Sequence, residues 1–115
     1  MSRRSRRRFE SLVADALDEL PGWVQASMDN VAVIVEDRPP ADSSELLGLY
    51  EGIPMTEGDD SMALPDRITL FRATIEEEAG EDDEELRALV AETVVHEVAH
   101  HFGIDDERLE SLGWD

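Results

Sequence analysis

The chain has 115 residues, a length that fits one domain with a real hydrophobic core. Its hydrophobic content of 41% is ordinary for a globular protein and excludes wholesale disorder, although 34% of its residues are charged. The sequence has no cysteine, which excludes disulfides, thiolate metal ligands and cysteine nucleophiles, and we expect a cytoplasmic protein.

The net charge of −19 is distributed unevenly along the chain. Residues 1–8 hold five of the ten arginines, whereas residues 9–115 hold the other five and all 29 acidic residues. We therefore expect a disordered basic tail over 1–8 that touches the protein's own acidic surface, followed by one domain over 9–115. An acidic body repels nucleic acid and anionic membranes, so we expect neither as a partner. A neutral or cationic peptide or protein is the expected partner, and the sequence leaves the oligomeric state open.

The first half of the chain alternates between one helix and several strands. Apolar residues at three- and four-residue spacing predict an amphipathic helix over 9–20, which Pro21 and Gly22 end. Two apolar segments then predict strands over 31–37 and 46–54, separated by a loop rich in proline and turn-forming residues.

The second half predicts one further strand and then helices. The segment 67–75 predicts a third strand, and the run 76–85, in which eight of ten residues are acidic, predicts a solvated connection. Its later acidic residues favour the N-terminus of a helix over 84–103, and a short helix is predicted over 105–112. The whole order predicts an α+β fold, with a small mixed sheet of about three to four strands packed against an N-terminal helix and a metal-bearing helix.

All three histidines of the chain lie on the predicted helix 84–103. On a helical wheel the apolar residues fill one broad arc, and His96 and His100 fall outside it, about 40° from each other. Glu97 lies to one side of this pair. Two imidazoles at positions i and i+4 can bind one metal ion, while a glutamate at i+1 reaches a water on that ion. The segment "HEVAH" therefore predicts a zinc site with His96 and His100 as ligands and Glu97 as the catalytic general base.

The motif continues beyond the second histidine as H-E-x-x-H-x-x-G-x-x-D. Gly103 allows the chain to leave the helix in a left-handed conformation and turn back toward the metal. Asp106, three residues later, is the predicted third ligand, with Asp105, Glu107 and His101 as alternatives. Since His101 lies about 100° from His100 on the wheel, we expect it to pack or to support a ligand.

These residues resemble the zincin metallopeptidases and, in the extended motif, the metzincin clan, where the position of Asp106 usually holds histidine. The sequence is most similar to a family of small bacterial minimal zincin-like metallopeptidases, a likeness that also covers "FESLVADALDELP", "VAVIVED", "LLGLYEGIP" and "LPDRITLFRATI". The methionine-bearing turn of the larger metzincins is missing, because all four methionines precede the motif.

The resemblance implies a zinc metallopeptidase that hydrolyses peptide bonds with a metal-activated water. The alternative is a zinc-binding module of the same fold that lacks significant proteolysis and acts by binding a partner. The resemblance also implies that an extended peptide adds to a sheet edge near the metal, supplied by "LLGLYEG" or "RITLFRATI". Tyr50 is the only tyrosine, and a structural role is favoured over transition-state hydrogen bonding.

Overall fold

The computed structural model describes residues 6–28, 30–52 and 66–104, together with residues 107 and 111. Four helices and three strands form along the described chain. They are α1 (Arg6–Asp18), α2 (Gly22–Ala26), β1 (Val31–Glu36), β2 (Gly48–Glu51), β3 (Asp66–Phe71), α3 (Arg72–Ala79) and α4 (Asp83–His101), with a short 3₁₀ turn at Ala41–Ser43. The mixed α+β architecture predicted from the sequence is confirmed.

The three strands form one sheet with β3 in the middle. β1 runs parallel to β3, and β2 runs antiparallel to it, with Gly48 opposite Leu70 and Tyr50 opposite Ile68. Both "LLGLYEG" and "RITLFRATI" were candidates for the exposed edge. Since β3 is central, only the first of these two segments, which contains β2, lies at an edge of the described sheet.

The hydrophobic core lies between the sheet and helices α1, α3 and α4. Its largest fully buried side chains come from all of these layers: Phe9, Ile68, Leu70, Ile75, Leu86, Val90 and Val94. The helix predicted over 9–20 is α1, which begins earlier, at Arg6. Arg6 pairs with Glu10 at 3.1 Å and with Asp37 at 3.4 Å. This end of the predicted basic tail is therefore helical and contacts acidic residues, and residues 1–5 lie outside the described residues.

The prediction for residues 67–85 was wrong in two places. Strand β3 ends at Phe71 instead of residue 75, and α3 occupies Arg72–Ala79, where the end of a strand and an acidic connection were predicted. Its sequence RATIEEEA is rich in good helix formers, and Ile75 and Ala79, one turn apart, are its buried residues. The helix that contains these glutamates thus also has an apolar face, which packs on the core.

The acidic residues after α3 do favour the next helix, as predicted. The Asp82 side chain caps α4 by accepting hydrogen bonds from the backbone N–H groups of Glu84, at 2.9 Å, and Glu85, at 3.3 Å. Asp83, Glu84 and Glu85 form the first turn, where negative charge stabilises a helix. Within the described ranges, no helix combines the length and apolarity needed to cross a membrane.

Candidate metal centre

Residues four apart along α4 form rows that meet different surroundings. One row is apolar, lies in the core and consists of Leu86, Val90, Val94 and Val98. A second row is polar and also buried: Thr93, Glu97 and His101 are 5%, 7% and 6% exposed. A third row carries the half-buried His96 and His100. The sequence predicted the apolar role of Val90, Val94 and Val98 and the polar third row, whereas the burial of the polar second row was missed.

His96, Glu97 and His100 form one cluster of potential metal ligands. One donor atom from each of the three side chains can be chosen so that all lie within 4.8 Å of one another. The two imidazole rings are centred 4.9 Å apart, as expected for positions one helical turn apart. In the described part of the chain, this is the group of three such residues that could hold a metal ion.

Glu97 is buried because strand β2 approaches α4 without a side chain at Gly48. A Cβ atom at Gly48 would lie 3.0 Å from the Cγ atom of Glu97 and 3.0 Å from the Cγ2 atom of Thr93. Both distances are closer than carbon atoms normally approach. Glycine at this position therefore makes room for the Glu97 side chain. The sequence showed a glycine inside a predicted strand, which is a known sign of close backbone approach, but did not show what approaches it.

A cavity of about 260 Å³ opens beside the cluster. Its wall combines residues of α4 with residues at and before the start of β2: Glu45, Leu46, Leu47, Gly48, Glu92, Thr93, His96 and Glu97. Three of these lining residues are glutamates and none is lysine or arginine. One histidine and the glutamate of the cluster thus face a space that can admit part of a ligand.

His101 belongs to a different group of side chains. Its Nδ1 atom lies 2.8 Å from Oδ2 of Asp66, the first residue of β3, and the Tyr50 hydroxyl donates to the same oxygen at 2.6 Å. Burial and the hydrogen bond to Asp66 raise the pKa of Tyr50 above its ordinary value. Tyr50 is thus held by Asp66, which supports the structural role that the sequence favoured.

The C-terminal end of α4 has the geometry that the sequence predicted for Gly103. The Gly103 N–H donates to the His100 carbonyl at 2.9 Å, and the Ile104 N–H donates to the Ala99 carbonyl at 3.0 Å. Gly103 has a φ of 77°, in the left-handed region. These bonds form a Schellman motif, which ends the helix and redirects the chain.

The structure brings three of the four predicted site residues together. His96, Glu97 and His100 share the cluster, whereas Asp106 lies outside the described residues and stays a prediction. His101 was one alternative for the third ligand, and its ring is directed to Asp66 instead. Sequence reasoning missed the roles of Gly48, Thr93 and Asp66, since each depends on which residues of a neighbouring element approach it.

The cluster fits a zinc ion by its donor types and spacing. Imidazole nitrogens and carboxylate oxygens are ligands that zinc accepts, and two histidines one helical turn apart can bind the same ion. His96 and His100 are only partly buried, and the cavity beside His96 leaves room for a further ligand or a water. His96 and His100 would hold the ion, with Glu97 beside it.

Comparison with known proteins places these features in a family. The family profile described as zincin-like metallopeptidase matches residues 28–114. Among solved structures, a conserved hypothetical protein from T. thermophilus is 30% identical, with a TM-score of 0.57, over 95% of this chain and 97% of that chain. No match was found among the curated proteins. The chain belongs to the zincin-like metallopeptidase family.

Proposed function

We propose that the protein is a zinc-dependent peptidase that hydrolyses peptide bonds by activating water. One observation carries this proposal: a buried carboxylate, Glu97, lies beside two half-buried imidazoles one turn apart, and the group opens onto a cavity. A structural zinc site is normally closed by four protein ligands, whereas a catalytic site keeps an open position. The cavity beside His96 supports the catalytic alternative.

Each residue of the site has its own proposed role in the reaction. Bound zinc would polarise a carbonyl oxygen and lower the pKa of a water molecule toward about 7. His96 and His100, with Asp106 as the proposed third ligand, would hold the ion. Glu97 accepts a proton from the attacking water and then delivers it to the leaving amine. Gly48 lies against the Glu97 side chain and limits the space in which the proton acceptor can move.

The proposed substrate is an extended peptide that pairs with strand β2. One edge of β2 pairs with β3, and the structure gives its other edge no strand partner among the described residues. Because Gly48 contacts the Glu97 side chain, a peptide added along β2 would pass the proposed metal position. The three glutamates of the cavity wall and the net charge of −19 favour neutral or cationic peptides.

The test compares the natural protein with Glu97→Gln. We expect both to bind zinc to the same content by elemental analysis, because the variant keeps both histidines. Hydrolysis of a peptide library should fall by about 10² to 10⁴ in the variant, the usual contribution of a general base. In the library, peptides with lysine or arginine should be cleaved faster than those with glutamate or aspartate.

Two results would contradict the proposal. If the natural protein binds no zinc when zinc is supplied, the proposed metal site is wrong and the proposed function with it. A zinc-loaded protein that cleaves no peptide in the library would instead support the zinc-binding module without proteolysis.

A further inference from the structure

We propose that Asp66 is a positioning residue for the metal site, acting through His101 on the last turn of α4. This inference rests on the proposed zinc site and adds residues outside the H-E-x-x-H motif. The third histidine of the motif region then has a role distinct from metal binding: it anchors the helix end that carries His100.

The hydrogen bond to Asp66 orients the His101 ring. Nδ1 lies 2.8 Å from Oδ2 of Asp66, and Nε2 lies 3.4 Å from the backbone carbonyl of Ser27, next to the end of α2. The first distance is that of a strong hydrogen bond. This bond to the Asp66 carboxylate holds the ring in one orientation.

Asp66 is the point where three elements are joined. It begins β3, accepts a hydrogen bond from Tyr50 on β2 at 2.6 Å, and contacts His101 on α4. Gly52, just after β2, leaves space for it, because a Cβ atom at Gly52 would overlap the Asp66 carboxylate. A single carboxylate therefore links the strand that approaches Glu97 with the helix that carries both histidine ligands.

Burial makes these contacts strong and costly to lose. The side chains of His101 and Asp66 are only 8% and 14% exposed. A hydrogen bond that involves a carboxylate in such surroundings is stronger than one between neutral exposed groups, and its donors cannot exchange freely with water. The contact between His101 and Asp66 thus anchors the last turn of α4 to β3.

The effect reaches the metal position through the backbone of one helical turn. His100 directly precedes His101, and its carbonyl accepts the Gly103 N–H in the Schellman motif. A shift of His101 therefore moves the backbone of His100 and the direction in which the chain leaves the helix. Groups that orient metal ligands from outside the coordination sphere commonly change metal affinity by about 10- to 100-fold when they are removed.

The experiment measures zinc affinity by competition with a chelator, at a temperature where every variant is folded by circular dichroism. Asp66→Asn and His101→Leu should each weaken zinc binding by about 10- to 100-fold. His101→Asn should recover most of this loss, because its amide N–H lies near the position of Nδ1 and can donate to Asp66. Cobalt substitution should show a changed absorption spectrum in Asp66→Asn and not in His101→Asn.

A matched control separates positioning from general destabilisation. Ile75→Ala, in the core on α3, should lower the thermal midpoint while leaving zinc affinity within about twofold of the natural protein. If Asp66→Asn does not fold, two other comparisons test the inference. His101→Asn should bind zinc more tightly than His101→Leu, and Tyr50→Phe should bind zinc several-fold more weakly than the natural protein.

The outcomes are distinct. Asp66→Asn and His101→Leu proteins that bind zinc as tightly as the natural protein would overturn the inference and leave the proposed function intact. An equal loss in Ile75→Ala would also overturn it, since the effect would then follow stability alone. A natural protein without zinc affinity would remove the proposed function and, with it, this inference.

Discussion

Two groups of histidines on one helix differ in what surrounds them. His96 and His100 are half-buried and share a cluster with Glu97, and His96 lines a cavity, whereas His101 is buried and bound to Asp66. In the sequence the three imidazoles lie within six positions and look equivalent. The difference arises from a rotation of about 100° between neighbouring residues of a helix, which places His101 in the row that faces β2. Histidines suited to metal binding and a histidine suited to anchoring can therefore be adjacent in a chain.

The largest expected effect on zinc binding comes from removing one of the two proposed histidine ligands. His96→Ala or His100→Ala should weaken zinc binding by more than about 100-fold. This is a larger loss than the one expected when a residue that only orients a ligand is replaced. The stability of the metal-free protein should change by less than about 1 kcal/mol, because both side chains are partly exposed. Zinc affinity and urea unfolding of the metal-free variants, measured side by side, check the two halves of this expectation.

His101→Ala should give the opposite pattern. It removes a donor from the buried Asp66 carboxylate, which costs about 1–3 kcal/mol of unfolding free energy. Its effect on zinc affinity should be smaller than that of His96→Ala. If His96→Ala destabilises the metal-free protein more than His101→Ala does, the distinction between the two groups of histidines is wrong.

The sequence predicted the part of the site that a single helix determines. His96, Glu97 and His100 lie on one element, so their spacing follows from 3.6 residues per turn, and the helix end at Gly103 follows from glycine's tolerance of positive φ. Gly48 and Asp66 act on α4 from other elements. Their roles depend on the packing of the sheet against the helix, which no pattern of local spacing encodes.

The same reasoning explains the success and the failure in the fold. Helix α4 and strand β1 have long, regular patterns, and both were predicted to within a few residues. In 72–79, the residues Thr74 and Ile75 extended a β-branched pattern, while the following glutamates suggested a solvated run. Packing of Ile75 and Ala79 against the core decided in favour of a helix, and such long-range contacts override local propensity.

A third prediction concerns the contact between β2 and Glu97. Gly48→Ala would place a methyl group about 3.0 Å from carbons of Glu97 and Thr93, so the Glu97 side chain must move. Peptide hydrolysis should fall by up to about 100-fold, the cost of a displacement of about 1 Å at a catalytic group. Zinc affinity should stay within a few-fold, because His96 and His100 are untouched. Steady-state kinetics and chelator competition measure the two quantities.

Gly22→Ala is the matched control for this change. A Cβ atom at Gly22, in the short helix α2, meets no other atom within 4 Å. The control should keep its activity and gain or lose only a few tenths of a kcal/mol of stability. A Gly48→Ala protein as active as Gly22→Ala would show that Glu97 does not need its present position.

The smallest expected effect concerns Tyr50. Its contribution to stability depends on pH, which distinguishes the contacts around Asp66 from the metal cluster. Burial, then the hydrogen bond to Asp66, raise its pKa in the folded state, while the unfolded chain keeps a value near 10. Since the folded pKa is the higher one, the contribution of Tyr50 to stability is fully present below about pH 10 and is lost as pH rises toward the folded pKa. Tyr50→Phe should therefore remove this alkaline loss, at a cost of about 1 kcal/mol at neutral pH.

Because Tyr50 is the only tyrosine, its ionisation can be followed directly by the absorbance of tyrosinate. In the folded protein tyrosinate should form only well above pH 10, together with loss of the folded state. In unfolding measurements, the difference in stability between the natural protein and Tyr50→Phe should shrink as pH rises above about 10. Tyrosinate formation near pH 10 in a protein that stays folded would mean that Asp66 does not hold the hydroxyl, and Asp66 would then join only β3 to the end of α4.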